Sequence, residues 1–332
     1  MKIQDLKTEL NNKVICITGA SGYIGSALVN RLKNYPVKKI IRISRKKLTH
    51  QENLDDWILD LNEYDSWLKI VKQSDIIFHL SGNTSVTFAE QHPQNSLTSE
   101  VLPINNLVRA SKELQLSPRF IYTSTASIYG LTKENPVSES YEPAPITFYD
   151  SNKLHAENLL EIASKAHIIN SVSLRLANVY GPSPNESSAF DRGVLSKIVK
   201  MSFENKTISL YGSGNYIRDY IYIDDVVMAL INVSVISYSE ILQNAKSVFN
   251  VSSGRGTYIR TVFNLILEEV GKITGENLKI KNVPWPNGVS EIEKRNFIGS
   301  AERLKSLTGW IPKTPVEEGI KLLVDYYGKE FF

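Results

Sequence analysis

The first half of the chain alternates short, nearly continuous apolar runs with longer segments in which apolar residues recur every three or four positions. Runs of the first kind predict strands buried on both faces, and segments of the second kind predict amphipathic helices. Strands are predicted at 14–18, 39–44, 76–80, 120–124 and 171–176, and helices at 23–34, 64–72, 102–115 and 149–165. This alternation is typical of a parallel, doubly wound α/β sheet.

The second half of the chain is less regular. A strand followed by a helix is predicted within 220–233, and further helices are predicted at 261–274 and 315–327. Segments rich in proline, at 131–147, 181–191 and 283–288, predict surface loops.

Composition narrows the classes of function. Hydrophobic residues make up 42% of the chain, which is typical of a folded protein, and the formal net charge is only +3. So small a charge does not indicate a nucleic-acid or anionic-membrane partner. The single cysteine, Cys16, lies in an apolar strand and excludes an internal disulfide; neither it nor the five histidines shows metal-ligand spacing. We therefore expect no metal site.

The beginning of the sequence is polar and charged, and the longest apolar run, from Val226 to Ile236, is interrupted by Asn232 and Ser234. This pattern predicts neither a secretory signal nor a membrane-spanning helix. We therefore expect a cytoplasmic protein.

A glycine-rich segment joins the first predicted strand to the first predicted helix. Gly19 permits a tight turn, Gly22 lets the backbone approach a pyrophosphate, and Gly25 lets the helix pack closely on the strand. The amino end of the helix supplies free N–H groups and a positive dipole. The candidate ligands of a nicotinamide dinucleotide in this segment are Gly19, Ser21, Gly22, Tyr23, Ile24 and Gly25.

The residues about twenty positions further on indicate which dinucleotide binds. A NAD site normally has a carboxylate there, on the adenosine ribose, whereas this chain has Ser44 and Arg45 followed by two lysines. A hydroxyl followed by three cations suits a 2′-phosphate, so NADP(H) is favoured and NAD(H) is the alternative. Asp60 and Leu61 are candidates for contact with the adenine, although a turn or cap role for Asp60 is equally open.

Tyr149 and Lys153 are four residues apart and share one face of a predicted helix. A neighbouring ammonium stabilises a phenolate and lowers the tyrosine pKa, which makes the phenol a usable acid or base. The preceding strand ends in a hydroxyl-rich sequence, and ligands bind at the carboxyl ends of such strands. Thr125, with Ser124 beside it, could therefore bond an oxygen that gains or loses a proton.

Together these features resemble the extended short-chain dehydrogenase/reductases, in particular the nucleotide-sugar epimerases, dehydratases and ketoreductases. The resemblance covers nearly the whole chain. Besides the glycine segment, Thr125, Tyr149 and Lys153, it rests on ordered matches at 75–82, 174–182, 211–214, 218–226, 249–254 and 309–312.

The resemblance implies a role for each matching residue. Tyr149 would exchange the proton of a sugar hydroxyl, Lys153 would hold the nicotinamide ribose, and Thr125, or Ser124, would complete the catalytic set. The residues expected to line the cofactor are Leu80, Ser81, Gly82 and Thr123. The expected substrate contacts are Asn83, Ser85, Thr125, Asn178, Arg192, Arg218 and Arg295. For Arg192 and Arg295 a solvated surface position is an equal alternative.

Departures from the family pattern narrow the expected reaction. The 4,6-dehydratases carry Asp-Glu where this chain has Ala126 and Ser127, and the 3,5-epimerases use a cysteine after this strand, whereas Cys16 lies in the first strand. What remains is chemistry at one carbinol carbon, usually C4. Ser44 and Arg45 favour an NADPH-dependent 4-keto-sugar reductase. The alternatives are a NAD-dependent 4-epimerase, a C4 dehydrogenase and, more remotely, a non-catalytic NADP(H)-binding regulator.

We expect an α/β protein with a Rossmann-type doubly wound parallel sheet and a smaller C-terminal α/β substrate domain. The cofactor domain is predicted at 1–178, with 215–248 returning to it, and the nucleotide-sugar domain at 179–214 and 249–332. Members of the family are often dimers through paired helices, which implies a homodimer through the helices at 102–115 and 149–165. The expected ligand is a nucleotide-diphosphate sugar.

Overall fold

The computed structural model describes residues 3–183, 193–204, 207–242 and 247–331. The strands are β1 (Val14–Thr18), β2 (Lys39–Ser44), β3 (Leu54–Ile58), β4 (Ile76–His79), β5 (Arg119–Thr125), β6 (Asn170–Leu176), β7 (Asn178–Tyr180), β8 (Ile208–Tyr211), β9 (Ile217–Tyr222), β10 (Val248–Val251), β11 (Gly256–Tyr258) and β12 (Ile280–Val283). The α-helices are α1 (Ile3–Glu9), α2 (Tyr23–Leu32), α3 (Tyr64–Gln73), α4 (Val86–Gln91), α5 (Pro93–Leu114), α6 (Phe148–Lys165), α7 (Val194–Phe203), α8 (Ile223–Ser234), α9 (Tyr238–Leu242), α10 (Ile259–Thr274), α11 (Glu302–Thr308) and α12 (Val316–Gly328). Two short 3-10 helices span Ala126–Tyr129 and Glu291–Lys294.

Seven parallel strands form the main sheet, in the order β10-β6-β5-β4-β1-β2-β3. Strand β1 pairs with β2 on one side and β4 on the other, so the direction of strand order reverses there. The connections that follow β1 and β4 therefore run to opposite faces of the sheet. Between the carboxyl ends of these two strands this leaves a crevice that can hold a ligand. The predicted doubly wound parallel sheet is confirmed.

Both faces of this sheet are covered because its strands are apolar on both sides. Ile15 and Ile17 of β1 pack in one core with residues of α2 and α8, and Cys16 packs in the opposite core with residues of α3, α5 and α6. Burial raises the pKa of the Cys16 thiol to about 12. This confirms the interpretation of Cys16 as a small buried hydrophobic residue.

Two small sheets lie outside the main one, in the orders β11-β9-β7 and β12-β8. A separate core joins them to α7, α10 and α12. Because β10 pairs with β6, we propose that the cofactor domain extends through Val251 rather than ending at 248. Within 215–248, helix α8 packs on the main sheet, whereas β9 belongs to a small sheet, so the proposed return to the cofactor domain applies to α8 and β10.

Two predicted elements differ from the structure for identifiable reasons. Helix α5 begins at Pro93 rather than Leu102, because proline at the first helical position is favourable and the helix continues through Pro103. Strand β3 was missed because it carries two aspartates at the sheet edge, with only one fully buried residue, Leu54. None of the helices in the described ranges is long and apolar enough to cross a membrane.

Candidate active site

The glycine segment forms a tight turn between β1 and α2 at the crevice. Gly19 has a φ of 68°, and a Cβ atom there would lie 2.7 Å from the backbone of Leu80 and Ser81. A side chain at Gly25 would likewise collide with the carbonyl of Gly19. Helix α2 begins after Gly22 without a side-chain cap, so its first N–H groups stay available to an anion. This cradle fits the pyrophosphate of a nicotinamide dinucleotide.

The other predicted cofactor ligands of this segment make contacts within the protein. The Tyr23 hydroxyl donates a hydrogen bond of 2.9 Å to the carbonyl of Gly181, which ties the start of α2 to the segment after β7. Ile24 packs against the cores on both sides of α2. Ser21 lines a cavity of about 30 Å³ together with Asn30 and Arg42.

The carboxyl end of β2 presents a hydroxyl and cations, as the sequence indicates. Ser44 donates a hydrogen bond to the carbonyl of Lys46, and Arg45 is exposed. The nearest strand carboxylate, Asp56, accepts 2.7 and 2.8 Å hydrogen bonds from the buried guanidinium of Arg42. That pairing neutralises Arg42 and Asp56, and Lys39 and Asp55 form a second ion pair of 2.8 Å between the same two strands.

Asp60 and Leu61 take part in a turn. The Asp60 carboxylate accepts a hydrogen bond of 2.9 Å from the backbone N–H of Asn62. The carbonyl of Leu61 accepts one of 2.8 Å from the Trp67 indole. The turn role left open for Asp60 is therefore realised, and contact with an adenine stays a prediction.

Helix α6 carries the tyrosine and the lysine. Its amino end is capped by Thr147, whose hydroxyl accepts a 3.1 Å bond from the N–H of Asp150. Tyr149 is half-buried and is hydrogen-bonded to Thr125. Burial of the phenol, followed by the charges of Glu100 and Asp150, raises the pKa of Tyr149 well above its usual value. The expected lowering by Lys153 is thus not observed.

Burial is the larger cause, and the second is a buried carboxylate, Glu100, that the sequence analysis did not single out. The Lys153 ammonium lies 2.6 Å from Oε1 of Glu100, and the two side chains are 5% and 3% exposed. Lys153 also donates a 3.0 Å hydrogen bond to the carbonyl of Thr123. The hydroxyl of Tyr122 donates a 2.5 Å bond to the same Glu100 oxygen. One sequence signal was available: Glu100 lies on the apolar face of α5, four positions before the buried Ile104.

The segment after β4 completes this wall of the site. Gly82 has a φ of 147°, and a Cβ there would lie 2.7 Å from Oε2 of Glu100. The Thr18 hydroxyl donates a 3.1 Å bond to Ser81 and lies 2.9 Å from Nδ1 of His79. Burial, and then the charge of Lys153, lowers the pKa of His79 to about 3. His79 is therefore a neutral packing residue.

Hydroxyl groups continue from Tyr149 into the interior. Thr125 Oγ1 lies 2.8 Å from Ser127 Oγ, and Ser127 donates to the carboxylate of Asp150. Thr147 donates a 2.6 Å bond to the second oxygen of Asp150, which is fully buried, and burial raises the pKa of that carboxyl. The structure thus brings Thr125 to Tyr149.

Two neighbouring residues of β5 have different tasks. Ser124 Oγ is buried and has no hydrogen-bond partner within the described part of the chain. Thr123 donates a 3.1 Å bond to the carbonyl of His79, which joins β5 to β4. Of the two hydroxyls predicted for catalysis, only Thr125 is bonded to the tyrosine.

The residues predicted to contact the substrate lie in different parts of the structure and do not form one hydrogen-bonded group among the described residues. Asn83 accepts a 2.9 Å bond from the N–H of Ser85, and Ser85 caps α4 by accepting a 3.1 Å bond from Phe88. Asn178 is half-buried in β7. Arg192 lies outside the described residues.

Of the two remaining arginines, Arg218 is buried and Arg295 is half-buried. Arg218 donates to the carbonyls of Ile217, Glu293 and Arg295, at 2.6 Å for Glu293, so its guanidinium fixes the segment after β12. Arg295 donates a 2.9 Å bond to the carbonyl of Ile292 and carries a buried Nε. Burial lowers the pKa of Arg295, and the charges of Glu293 and then Asp150 oppose that shift. Arg295 is thus partly exposed, and its contact with a substrate stays a prediction.

Within the residues described, no group of three or more His, Cys, Asp or Glu side chains is arranged to hold a metal ion.

Several known proteins are similar to this chain over most of its length. One relative is a trifunctional UDP-glucose 4,6-dehydratase/UDP-4-keto-6-deoxy-D-glucose 3,5-epimerase/UDP-4-keto-L-rhamnose-reductase of Arabidopsis thaliana, 27% identical over 96% of this chain. The chain spans about half, 48%, of the length of that protein. The solved UDP-glucose 4-epimerase of Thermotoga maritima, with UDP-glucose, is 27% identical, with a TM-score of 0.81 over 96% of this chain and 100% of that one.

A third similar protein, the RMD of Pseudomonas aeruginosa complexed with NADPH, shares the fold, with 24% identity and a TM-score of 0.75 over 96% of this chain and 100% of that one. Residues 15–236, most of the chain, match the sequence profile of a family defined by NAD-dependent epimerases and dehydratases. This chain therefore belongs to the NAD dependent epimerase/dehydratase family, among the extended short-chain dehydrogenase/reductases that bind a nicotinamide dinucleotide.

Proposed function

We propose that the protein is an NADPH-dependent reductase of a nucleotide-linked 4-keto sugar. The observation that carries the cofactor preference is the end of β2, where Ser44 and the exposed Arg45 stand in place of a carboxylate. A carboxylate there would bond the ribose 2′-hydroxyl and repel a 2′-phosphate, whereas a guanidinium pairs with two phosphate oxygens.

The proton chemistry follows from Tyr149 and Thr125. NADPH, held by the glycine segment and by Ser44 and Arg45, would supply the hydride that reduces the carbonyl carbon. Tyr149 gives its phenolic proton to the carbonyl oxygen, which becomes the hydroxyl of the product, and solvent then reprotonates the phenolate. Thr125, bonded to the same phenol, orients it, and the Asp150 chain behind Thr125 holds that hydroxyl in place. A phenol whose pKa is raised is protonated at neutral pH and therefore suits this direction.

Elimination of water from the sugar is not part of this proposal. The dehydratases resembled here carry two acids directly after the catalytic threonine, and this chain has Ala126 and Ser127. The nearest carboxylate, Asp150, is fully buried and has both oxygens bonded to hydroxyls. That supports a reaction limited to one carbinol carbon.

A 4-epimerase is the second candidate. The observation that favours it is the 27% identity and TM-score of 0.81 to a UDP-glucose 4-epimerase, over the full length of that protein. An epimerase oxidises and re-reduces the same carbon, so it keeps its dinucleotide bound between the two steps. The two candidates therefore differ in which dinucleotide is held and how firmly.

The experiment denatures the purified protein and identifies any released nucleotide by mass spectrometry, and then titrates the protein with NADPH and NADH. We expect no stoichiometric NAD(H), and NADPH binding at least about tenfold tighter than NADH binding. One equivalent of NAD(H) per chain contradicts the reductase and supports the epimerase. A nucleoside diphosphate released with the dinucleotide identifies the substrate class, for which UDP-sugars are the first choice because the T. maritima relative holds UDP-glucose.

A further inference from the structure

Glu100 is a buried acid at the candidate active site that the assigned catalytic set does not include. It is 3% exposed, and one of its oxygens receives both the Lys153 ammonium at 2.6 Å and the Tyr122 hydroxyl at 2.5 Å. We propose that Glu100 is a positioning residue, which fixes and neutralises Lys153 so that Tyr149 enters the reaction as a protonated acid. This inference rests on the proposed function, in which Tyr149 protonates a ketone.

The surroundings of Glu100 are built around its carboxylate. Gly82 leaves the space for its second oxygen, since a Cβ at that position would lie 2.7 Å from Oε2. The ring of Tyr122 lies beneath the ammonium, with Nζ of Lys153 4.8 Å from the ring centre. A buried charge without a partner is costly, so the pair holds both side chains in one arrangement. A smaller or neutral residue at 100 would leave Lys153 without its counter-charge.

The paired lysine acts differently from an unpaired one. An isolated ammonium next to a phenol favours the phenolate, but a carboxylate 2.6 Å from that ammonium cancels most of its field. The charged and titratable groups near Tyr149 are Glu100 of α5, Tyr122 of β5, Asp150 and Lys153 of α6, Glu90 of α4, which accepts from the N–H of Phe148, and Arg295, which faces Asp150.

The balance of these groups keeps the proton on Tyr149. Burial raises its pKa most, the carboxylates of Glu100 and Asp150 add to that effect, and the bond with Thr125 opposes it. In the reduction, the phenolic O–H bond breaks, a new O–H bond forms at the former carbonyl oxygen, and a C–H bond forms at its carbon. The ketone is reduced, and NADPH is oxidised. A protonated Tyr149 is the form that this direction requires.

The test titrates Tyr149 directly by carbon NMR, after all tyrosines have been labelled at Cζ. The Tyr149 signal is the one that disappears in Y149F. In E100Q the phenol loses a nearby negative charge and gains an unpaired ammonium, so we expect its titration about one pH unit or more below that of the parent protein. Titration at the same pH in both proteins, or a Tyr149 signal that stays unchanged in both, overturns the proposal.

Glu157→Gln is the matched control, because Glu157 also forms a buried ion pair, with Arg175 at 2.7 Å, but on the far part of α6. We expect it to lower stability and leave the Tyr149 titration unchanged. If E100Q does not fold, the comparison is E100D against the parent protein, because aspartate keeps the charge but its shorter side chain draws the carboxylate away from Lys153. The proposal requires Tyr149 to titrate at lower pH in E100D, and equal values overturn it.

The NMR result does not depend on any substrate, so it separates this inference from the proposed function. A shift in E100Q without any ketone reduction leaves the role of Glu100 standing and contradicts the reductase. Ketone reduction by the parent protein, with no shift of the Tyr149 titration in E100Q, supports the reductase and overturns the role proposed for Glu100. If the reductase function and the role of Glu100 are both correct, the rate of reduction falls at the pH where Tyr149 loses its proton. The alkaline fall of the pH–rate profile then lies at lower pH in E100Q than in the parent protein.

Discussion

At the scale of single residues, the chemistry depends on how one phenol is surrounded. Tyr149 and Lys153 have the spacing that a sequence can show, but the state of the pair is decided by Glu100, which lies on another helix. Thr125 joins the phenol to a buried chain that ends at Asp150. The Lys153–Glu100 contact is 2.6 Å and the Thr125–Ser127 contact is 2.8 Å, so single substitutions test these groups individually.

Replacing Tyr149 by phenylalanine removes the proposed proton donor and leaves the ring. We expect the rate of ketone reduction to fall by about 100- to 10,000-fold, the range for loss of a general acid, while NADPH affinity changes little. Steady-state kinetics and a fluorescence titration of NADPH measure the two quantities. Tyr258→Phe, at an exposed tyrosine, is the control. Unchanged turnover would show that Tyr149 is not the proton donor, whereas no turnover in either protein, with NADPH bound equally by both, would favour the non-catalytic regulator.

Replacing Arg45 by alanine removes the proposed partner of the 2′-phosphate. We expect NADPH affinity to fall about tenfold, as for loss of one hydrogen bond to a charged group, with NADH affinity unchanged. Calorimetric titration with each dinucleotide gives both numbers. Lys72→Ala, an exposed cation in the last turn of α3, controls for the change in net charge. An equal loss for NADPH and NADH would show that Arg45 does not read the phosphate.

At the scale of elements, the glycine turn sets the distance between β1, α2 and the end of β4. Gly19 needs its positive φ of 68°, and it also lies against the backbone that links β4 to Ser81. The first requirement concerns the backbone of one residue, whereas the second concerns the packing of two chain segments. Substitution at two different glycines can separate them.

Gly19→Ala should lower both stability and dinucleotide affinity. The left-handed conformation alone costs an alanine about 1–2 kcal/mol, and here its Cβ also collides with backbone that cannot rotate away. Gly275→Ala is the matched control, because it has a φ of 76° and open space around it. Thermal unfolding of both variants gives the comparison. Equal losses of stability would mean that the contact with Leu80 and Ser81 contributes nothing.

The elements that the sequence predicted well are those with local signals. Most strands of the main sheet are apolar on both faces, and the glycine turn and the Tyr149–Lys153 spacing each lie within a single short segment. Long-range pairing could not be predicted in this way. The bond from Arg218 to carbonyls near Arg295 joins residues 77 positions apart, and nothing local marks either end. Glu100 of α5 and Lys153 of α6 are also far apart in the sequence, so their ion pair could not be predicted from a local pattern.

At the scale of the whole molecule, two helices of the cofactor domain leave apolar side chains in solvent. Helices α5 and α6 pack against each other, and their exposed apolar side chains include Leu97 and Leu102 of α5 and Phe148 and Ile162 of α6. Ile162 is 65% exposed. Large apolar side chains left in solvent occur at interfaces, and the same two helices were predicted from the sequence to form a dimer. We therefore propose a homodimer built on this surface.

Substituting lysine for Ile162 should separate that dimer. A charge brought into an apolar interface loses its water without gaining a partner, so we expect the parent protein to have twice the 37.4 kDa mass of the chain and the variant to have that mass once. Light scattering after size-exclusion chromatography measures both. Ile58→Lys is the matched control, because Ile58 is 60% exposed on the edge strand β3, away from α5 and α6. If the parent protein has the mass of one chain, or if both variants dissociate alike, this surface is not the dimer interface. Because α6 also carries Tyr149 and Lys153, a monomeric I162K protein would further show, by its Tyr149 titration, whether the partner helix holds the active-site end of α6 in place.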